Sequence, residues 1–277
     1  MLSEWATHQR ARIVQNNLHN TGQPTPPTSY EEFSIDTLST LSTSDAPTLT
    51  TAITSWLTST GPEAAPDVWY AFHSALLSLA QFTSSPAIHQ KLASLTVSLA
   101  QTTTSAPGTT ELLTTLHGFG WAVRDLWNGP KALADDSLRS WVNLNRFMAY
   151  LSLQNRATPV EALSGWVEDF GMWTIADGLE ERNGVRDHHA EAAACWLEVA
   201  GGEIWKDARW GGRDQNGREG ELWTRKSAEE ALGYEERWAF WRERLERIAK
   251  DEAVEEGVRE AARRAGEVMA GCEENEG

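Results

Sequence analysis

Ser137-Leu-Arg-Ser-Trp141-Val-Asn143-Leu-Asn145-Arg-Phe147-Met-Ala-Tyr-Leu-Ser-Leu153 is the stretch on which the fold turns. Its apolar residues recur at three- and four-residue steps instead of alternating, which is the period of a helix with one side in a core. At that spacing Asn145 shares a face with Trp141, Met148 and Ala149, so it carries an amide into an apolar stripe and must find partners there. Asn143 interrupts the same helix.

Similar amphipathic patterns run over 158–182, 187–206, 234–250 and 252–270, and strand-like alternation is found nowhere. Pro159 suits the first turn of the second of these helices, and Asp187 the cap of the third. The earlier half is written differently, rich in Ser and Thr and poor in charge. Even there, Leu49, Ile53, Trp56 and Leu57 predict a helix over 48–60. Trp69, Phe72, Leu76, Leu79 and Ala80 predict one over 67–82, and Leu92, Leu95 and Leu99 one over 88–99. Thr28-Ser-Tyr-Glu31 has the spacing of a capping box. The Pro-rich run 21–28 before it ends a first helix, which reads as a detached arm. Residues 101–110 read as a Thr/Ser/Pro/Gly connector, and 210–217 as a polar turn. Together these elements predict an all-α protein, a multi-helix bundle or orthogonal helical array. The expected organisation is an N-terminal helix and spacer over 1–28, a single helical domain over 29–271 and a disordered tail over 272–277.

Composition narrows the function classes. The chain has 277 residues and carries 14 Trp against 4 Tyr, a ratio that predicts buried indoles, each with a hydrogen-bond acceptor for its N–H. A net charge of −16 repels nucleic-acid backbones and anionic membrane surfaces, so neither is an expected partner. With two cysteines, Cys195 and Cys272, no disulfide framework is being built. No secretory signal or membrane-spanning run is recognisable, which makes the cytoplasm, or the nucleus, the expected compartment.

The motifs Trp141-Val-Asn143-Leu-Asn145-Arg-Phe147, Ala192-Ala-Ala-Cys195-Trp196 and Glu235-Glu-Arg237-Trp238-Ala-Phe240-Trp241-Arg-Glu-Arg244, with Phe119 to Asn128 in a more general way, carry a resemblance. Over roughly residues 45–270 the chain resembles a fungal family known only as a domain of unknown function, the one numbered three-six-three-two. The resemblance implies a filamentous-fungal, all-helical, cytosolic protein. It implies no activity and no catalytic residue.

The nucleotide-binding, metalloprotease and hydrolase motifs of the common enzyme classes are missing. Asp135-Asp136-Ser-Leu-Arg139 ends in a cation where a diphosphate-binding magnesium site needs a third carboxylate, and so reads as a helix start. His188 and Glu191, with His189, Glu180, Glu181 and Asp187 nearby, have the spacing of a partial metal site, but no further ligand converges on them. No metal and no cofactor are therefore expected. Arg209, Arg213, Arg218, Arg225 and Lys226 alternate with Trp205, Trp210 and Trp223 and with enough acids to cancel most of their field, which reads either as a surface loop laced with ion pairs or as a gating or recognition loop over a pocket.

The remaining polar candidates surround the Asn motif. Asn143 and Asn145 are read either as core hydrogen-bonders or as ligand-contacting amides at the base of an aromatic cavity formed with Trp141 and Trp173. Arg124, Asp125 and Asn128 upstream, and Asp169 and Asp177 downstream, are candidates to complete the cluster. A non-catalytic protein-interaction or ligand-binding module is the expected function. The alternative is an enzyme or accessory protein of fungal small-molecule metabolism that uses the same aromatic pocket. The partner, protein or small molecule, and the oligomeric state are left open.

Overall fold

The structure is a computed structural model, and it describes residues 1–127, 135–181, 187–209, 219–230 and 233–274. Among these residues all regular structure is helical. The chain divides into two compact units. The first comprises Met1–Lys131 with Ala157–Leu163, the second Ala132–Arg156 with Ser164–Gly277. The sequence reading had grouped 29–271 together.

The first unit contains α1 (Leu2–Thr21), α2 (Ser29–Ser39), α3 (Ala46–Thr60), α4 (Ala65–Phe82), α5 (Pro86–Ala100), α6 (Pro107–Thr114) and α7 (Phe119–Leu126). Four of these helices, α3 to α6, start with a proline in their first turn, where its missing N–H costs nothing and its fixed φ suits the helix. The capping box forms as expected: Thr28 Oγ1 accepts from the Glu31 amide at 3.3 Å, and Glu31 Oε2 accepts from the Thr28 amide at 2.7 Å. Helix α1 is no detached arm. Its Trp5 is fully buried, together with Leu2, Ala6 and Ile13, because α1 packs against α2 and α4. The connector is shorter than expected, since α6 starts at Pro107.

The second unit contains α8 (Asp135–Ala157), α9 (Trp166–Leu179), α10 (Asp187–Arg209), α11 (Glu221–Glu230), α12 (Tyr234–Lys250) and α13 (Glu256–Glu274). Its centre is α10, which packs on α9 and α13. Small residues allow the close approach of α9. A Cβ on Gly171 would come within 2.8 Å of the Trp196 ring, and one on Gly178 within 2.5 Å of the His189 carbonyl oxygen. The helix expected over 158–182 is broken at its start. A single 3-10 turn, Glu161–Leu163, precedes α9, and Gly165 at φ 93°, a value only glycine adopts at ease, resets the chain direction. Pro159 therefore does not open a long helix. Likewise α13 starts four residues later than its apolar pattern suggests, because the Asp251 carboxylate accepts from the Ala253 amide at 2.9 Å and holds a turn.

The indoles are the core's fasteners. Trp5, Trp69, Trp196, Trp238 and Trp241 are each at most 2% exposed. Each donates its N–H to an oxygen: Ser78 Oγ at 3.5 Å, the His117 carbonyl at 2.8 Å, Asn145 Oδ1 at 3.0 Å, Glu273 Oε1 at 3.1 Å and Glu180 Oε1 at 2.6 Å.

Candidate functional site

Asn145 is completely buried, and its amide is used at both ends. Nδ2 donates to the Trp141 carbonyl at 3.0 Å, one turn back along α8. Oδ1 accepts from Thr174 Oγ1 of α9 at 2.9 Å and from Trp196 Nε1 of α10 at 3.0 Å. One side chain thus ties three helices together. Asn143 and Trp141 are buried beside it, with the Trp141 ring edge-on to His189 at 6.0 Å between centroids. Of the other candidates in this unit, Asp169 is exposed, Asp177 half-buried and Trp173 38% exposed, with its ring edge-on to Phe170 at 5.3 Å. Arg124 belongs to the first unit, where its guanidinium lies 5.9 Å from the centroid of the exposed Trp121 ring. Asn128 lies outside the described residues, as do the side chains of Asp187 and His188 and the turn over 210–217.

A second buried node forms on Glu180, the residue that follows α9. Its carboxylate is fully buried and accepts from Arg237 Nε at 2.6 Å, Arg237 Nη2 at 3.0 Å, Trp241 Nε1 at 2.6 Å and the Gly220 amide at 2.8 Å. A bidentate arginine and two further donors are what a carboxylate needs in a dry core. The backbone comes close enough to bond only because residue 220 is glycine: a Cβ there would lie 2.5 Å from the Glu180 Cβ. Arg237 also lies over the Trp241 ring, 5.4 Å from its centroid. The Glu-Arg-Trp-x-Phe-Trp string is therefore built around a salt bridge to Glu180. That occupation leaves no lone pair on Glu180 for a metal, and the described residues contain no group of three metal-ligating side chains.

Beside the Asn145 node is a cavity of about 50 Å³ bounded by Trp196, Gly171, Met172, Arg156, Asp207 and Tyr234. It holds a few waters at most, far short of the ~300 Å³ of a ligand site. Arg156 closes it by pairing with Asp207. Burial pushes the Tyr234 hydroxyl up to about 12, and its O–H reaches only Met172 Sδ at 3.7 Å. Burial likewise pushes the Cys195 thiol up to about 11, which makes it a poor nucleophile.

The first unit differs. Between α1, α2 and α4 is a groove of about 510 Å³, within the range of small-molecule sites. Its α1 wall presents Gln9, Arg12 and Asn16, on one face of the helix at steps of three and four. Trp5 Nε1 donates to Ser78 Oγ, whose hydroxyl proton goes on to Gln9 Oε1 at 2.7 Å. An indole N–H only donates, so this relay fixes the orientation of the Gln9 amide and leaves its NH2 without a protein partner among the described residues. Arg12 and Asn16 likewise have no partner there. Arg12 is exposed on this wall, and desolvation by the neighbouring chain lowers its pKa from the ordinary value. Tyr30 and Tyr70 stand on the other walls, Tyr70 66% exposed. Sequence reasoning missed these residues: an unpaired Arg and an Asn on a helix have the pattern of any solvated face.

Next to the groove, His73 is 2% exposed, and neither ring nitrogen has a hydrogen-bond partner. Trp69, Tyr70 and Phe119 surround it at centroid distances of 5.2 to 6.3 Å. Desolvation, helped by His117, lowers its pKa to about 4.

Helices joined by buried indole and carboxylate hydrogen bonds, with a polar groove between α1, α2 and α4, define an all-α protein. Residues 73–245, more than half of the chain, match the family model described as a protein of unknown function (DUF3632), and the chain belongs to that family. No curated protein and no solved structure matches it.

Proposed function

We propose that the protein is a non-catalytic ligand-binding module, with its ligand in the groove between α1, α2 and α4. The observation that carries this reading is the contrast in unspent hydrogen-bonding capacity. The side chains of Asn145 and Glu180 are answered by protein partners, whereas the Gln9 NH2, Arg12 and Asn16 line a 510 Å³ groove with no such partners among the described residues. A preformed concave site with a few convergent polar groups is the common form of a small-molecule site. The described helices include none long and apolar enough to cross a membrane. A net charge of −16 supports a partner that is neither nucleic acid nor an anionic membrane surface, and the fungal cytoplasm is the compartment this reading expects.

Native mass spectrometry of the full chain, purified from a fungal host, tests the reading. A stoichiometric adduct is expected that disappears on Ala71→Trp, which fills the groove, and that survives a conservative change at the Asn145 node such as Thr174→Val. A clean apo mass, or an adduct indifferent to Ala71→Trp, would overturn it.

A further inference from the structure

Arg12 and Arg124 have no ion pair in the first unit among the described residues, and of the two it is Arg12 that lines the groove. Arg10, two residues earlier, is held by Glu32 at 2.8 Å and Asp36 at 2.6 Å. The ammonium of Lys91 is coordinated by the carbonyls of Leu41 at 2.8 Å and Ser42 at 3.0 Å. Arg12 has no counterpart, although the chain carries 40 acidic residues against 24 basic ones. Asp67 and Glu31 line the same groove, yet neither forms an ion pair with Arg12. Glu31 is committed to its capping box.

The Arg12 guanidinium is exposed on the groove wall with no protein acceptor, and its planar fork matches a carboxylate or phosphate. The free NH2 of Gln9 and the amide of Asn16 flank it on the same face of α1, one turn to either side. Ile13, Ala75 and the rings of Tyr30 and Tyr70 supply an apolar wall for the rest of a ligand. The two rim carboxylates and the overall negative charge work against a polyanion, so a single anionic group on a small body fits best.

From this geometry we infer that the groove binds a small organic anion through its carboxylate or phosphate group, anchored by Arg12 and assisted by Gln9 and Asn16. The inference rests on the ligand-binding reading and gives the chemical class of the ligand.

The test titrates the full-length chain with benzoate, phenyl phosphate and neutral benzamide, followed by amide chemical shifts. The anions are expected to bind at least roughly tenfold more tightly than benzamide. Arg12→Gln should abolish that preference and Arg12→Lys restore part of it, and the better of the two anions tells a carboxylate from a phosphate ligand. Equal binding of all three probes, or anion binding unchanged in Arg12→Gln, would overturn the inference. An adduct in the mass spectrum that is lost on Ala71→Trp but retained in Arg12→Gln would defeat the inference and leave the ligand-binding reading standing. No adduct and no probe binding would defeat both.

Discussion

The second unit treats its buried polar groups as fasteners, and the first unit leaves some of its polar groups open to solvent. At Asn145 and Glu180 the side-chain oxygens accept from buried donors of neighbouring helices, among them the indoles of Trp196 and Trp241. In the groove of α1, by contrast, a guanidinium and two amides face a space large enough for a ligand. Interior polar groups that are satisfied make a core specific, while unsatisfied ones at a concave surface are what a ligand can answer. The second unit spends these groups on its own packing, and the first unit carries the groove.

The contrast is tested most severely at Glu180. Replacing it with alanine strands the Arg237 charge in the core along with the Trp241 and Gly220 N–H groups, an expected loss of ~3–5 kcal/mol in urea-unfolding stability. A paired change of Glu180 and Arg237 to apolar residues of similar volume should cost much less than the single change. A loss below ~1 kcal/mol for Glu180→Ala would mean that solvent reaches the node.

His73 sets the next largest effect, through pH. Its folded pKa of about 4 lies below the ordinary 6.5, so between these values the unfolded chain binds the extra proton and the folded one does not. Stability should be level above about pH 6.5, fall as the pH drops towards 4, and level off again, a total of ~3 kcal/mol. Denaturation midpoints across that range should follow this course in the parent and lose the contribution in His73→Phe. A variant that retained the full slope would assign it to other groups.

Asn145→Ala comes third. It removes the acceptor of Trp196 Nε1, while Thr174 keeps its other acceptor, the Phe170 carbonyl at 2.9 Å. One stranded indole N–H makes ~1–3 kcal/mol the expected loss, read from the same unfolding curves, and fluorescence of the buried Trp196 should shift as its hydrogen bond is lost.

The helical class was legible because periodicity and first-turn prolines are local signals. The stripe of Leu49, Ile53 and Leu57 and the helix over 234–250 needed no knowledge of their neighbours. Breaks were harder, because the turn before α9 depends on Gly165 at positive φ, and 221–230 has too few apolar residues to show a stripe. At the candidate site the sequence singled out Asn145 because an amide on an apolar face is conspicuous. Whether it bonds to the core or to a ligand depends on Thr174 and Trp196, 29 and 51 residues away. Glu180 was visible only as one of several acids, since its partner Arg237 is 57 residues distant. Arg12 had no signal at all, because lacking an ion-pair partner is a property of three-dimensional neighbours.

The smallest expected effect separates the two regions most cleanly. Arg12 is exposed on the groove wall and makes no hydrogen bond or ion pair within the described chain. Arg12→Gln removes a cation that contributes nothing to the fold, so the unfolding midpoint should move by less than ~0.5 kcal/mol, in either direction. The same substitution should abolish the preference for the anionic probes over benzamide. A fastening residue behaves in the opposite way, since Glu180→Ala damages stability whether or not a ligand is present. If Arg12→Gln instead cost as much as Asn145→Ala, the guanidinium would be a fastener as well, and the division between the two units would fail at its most specific residue.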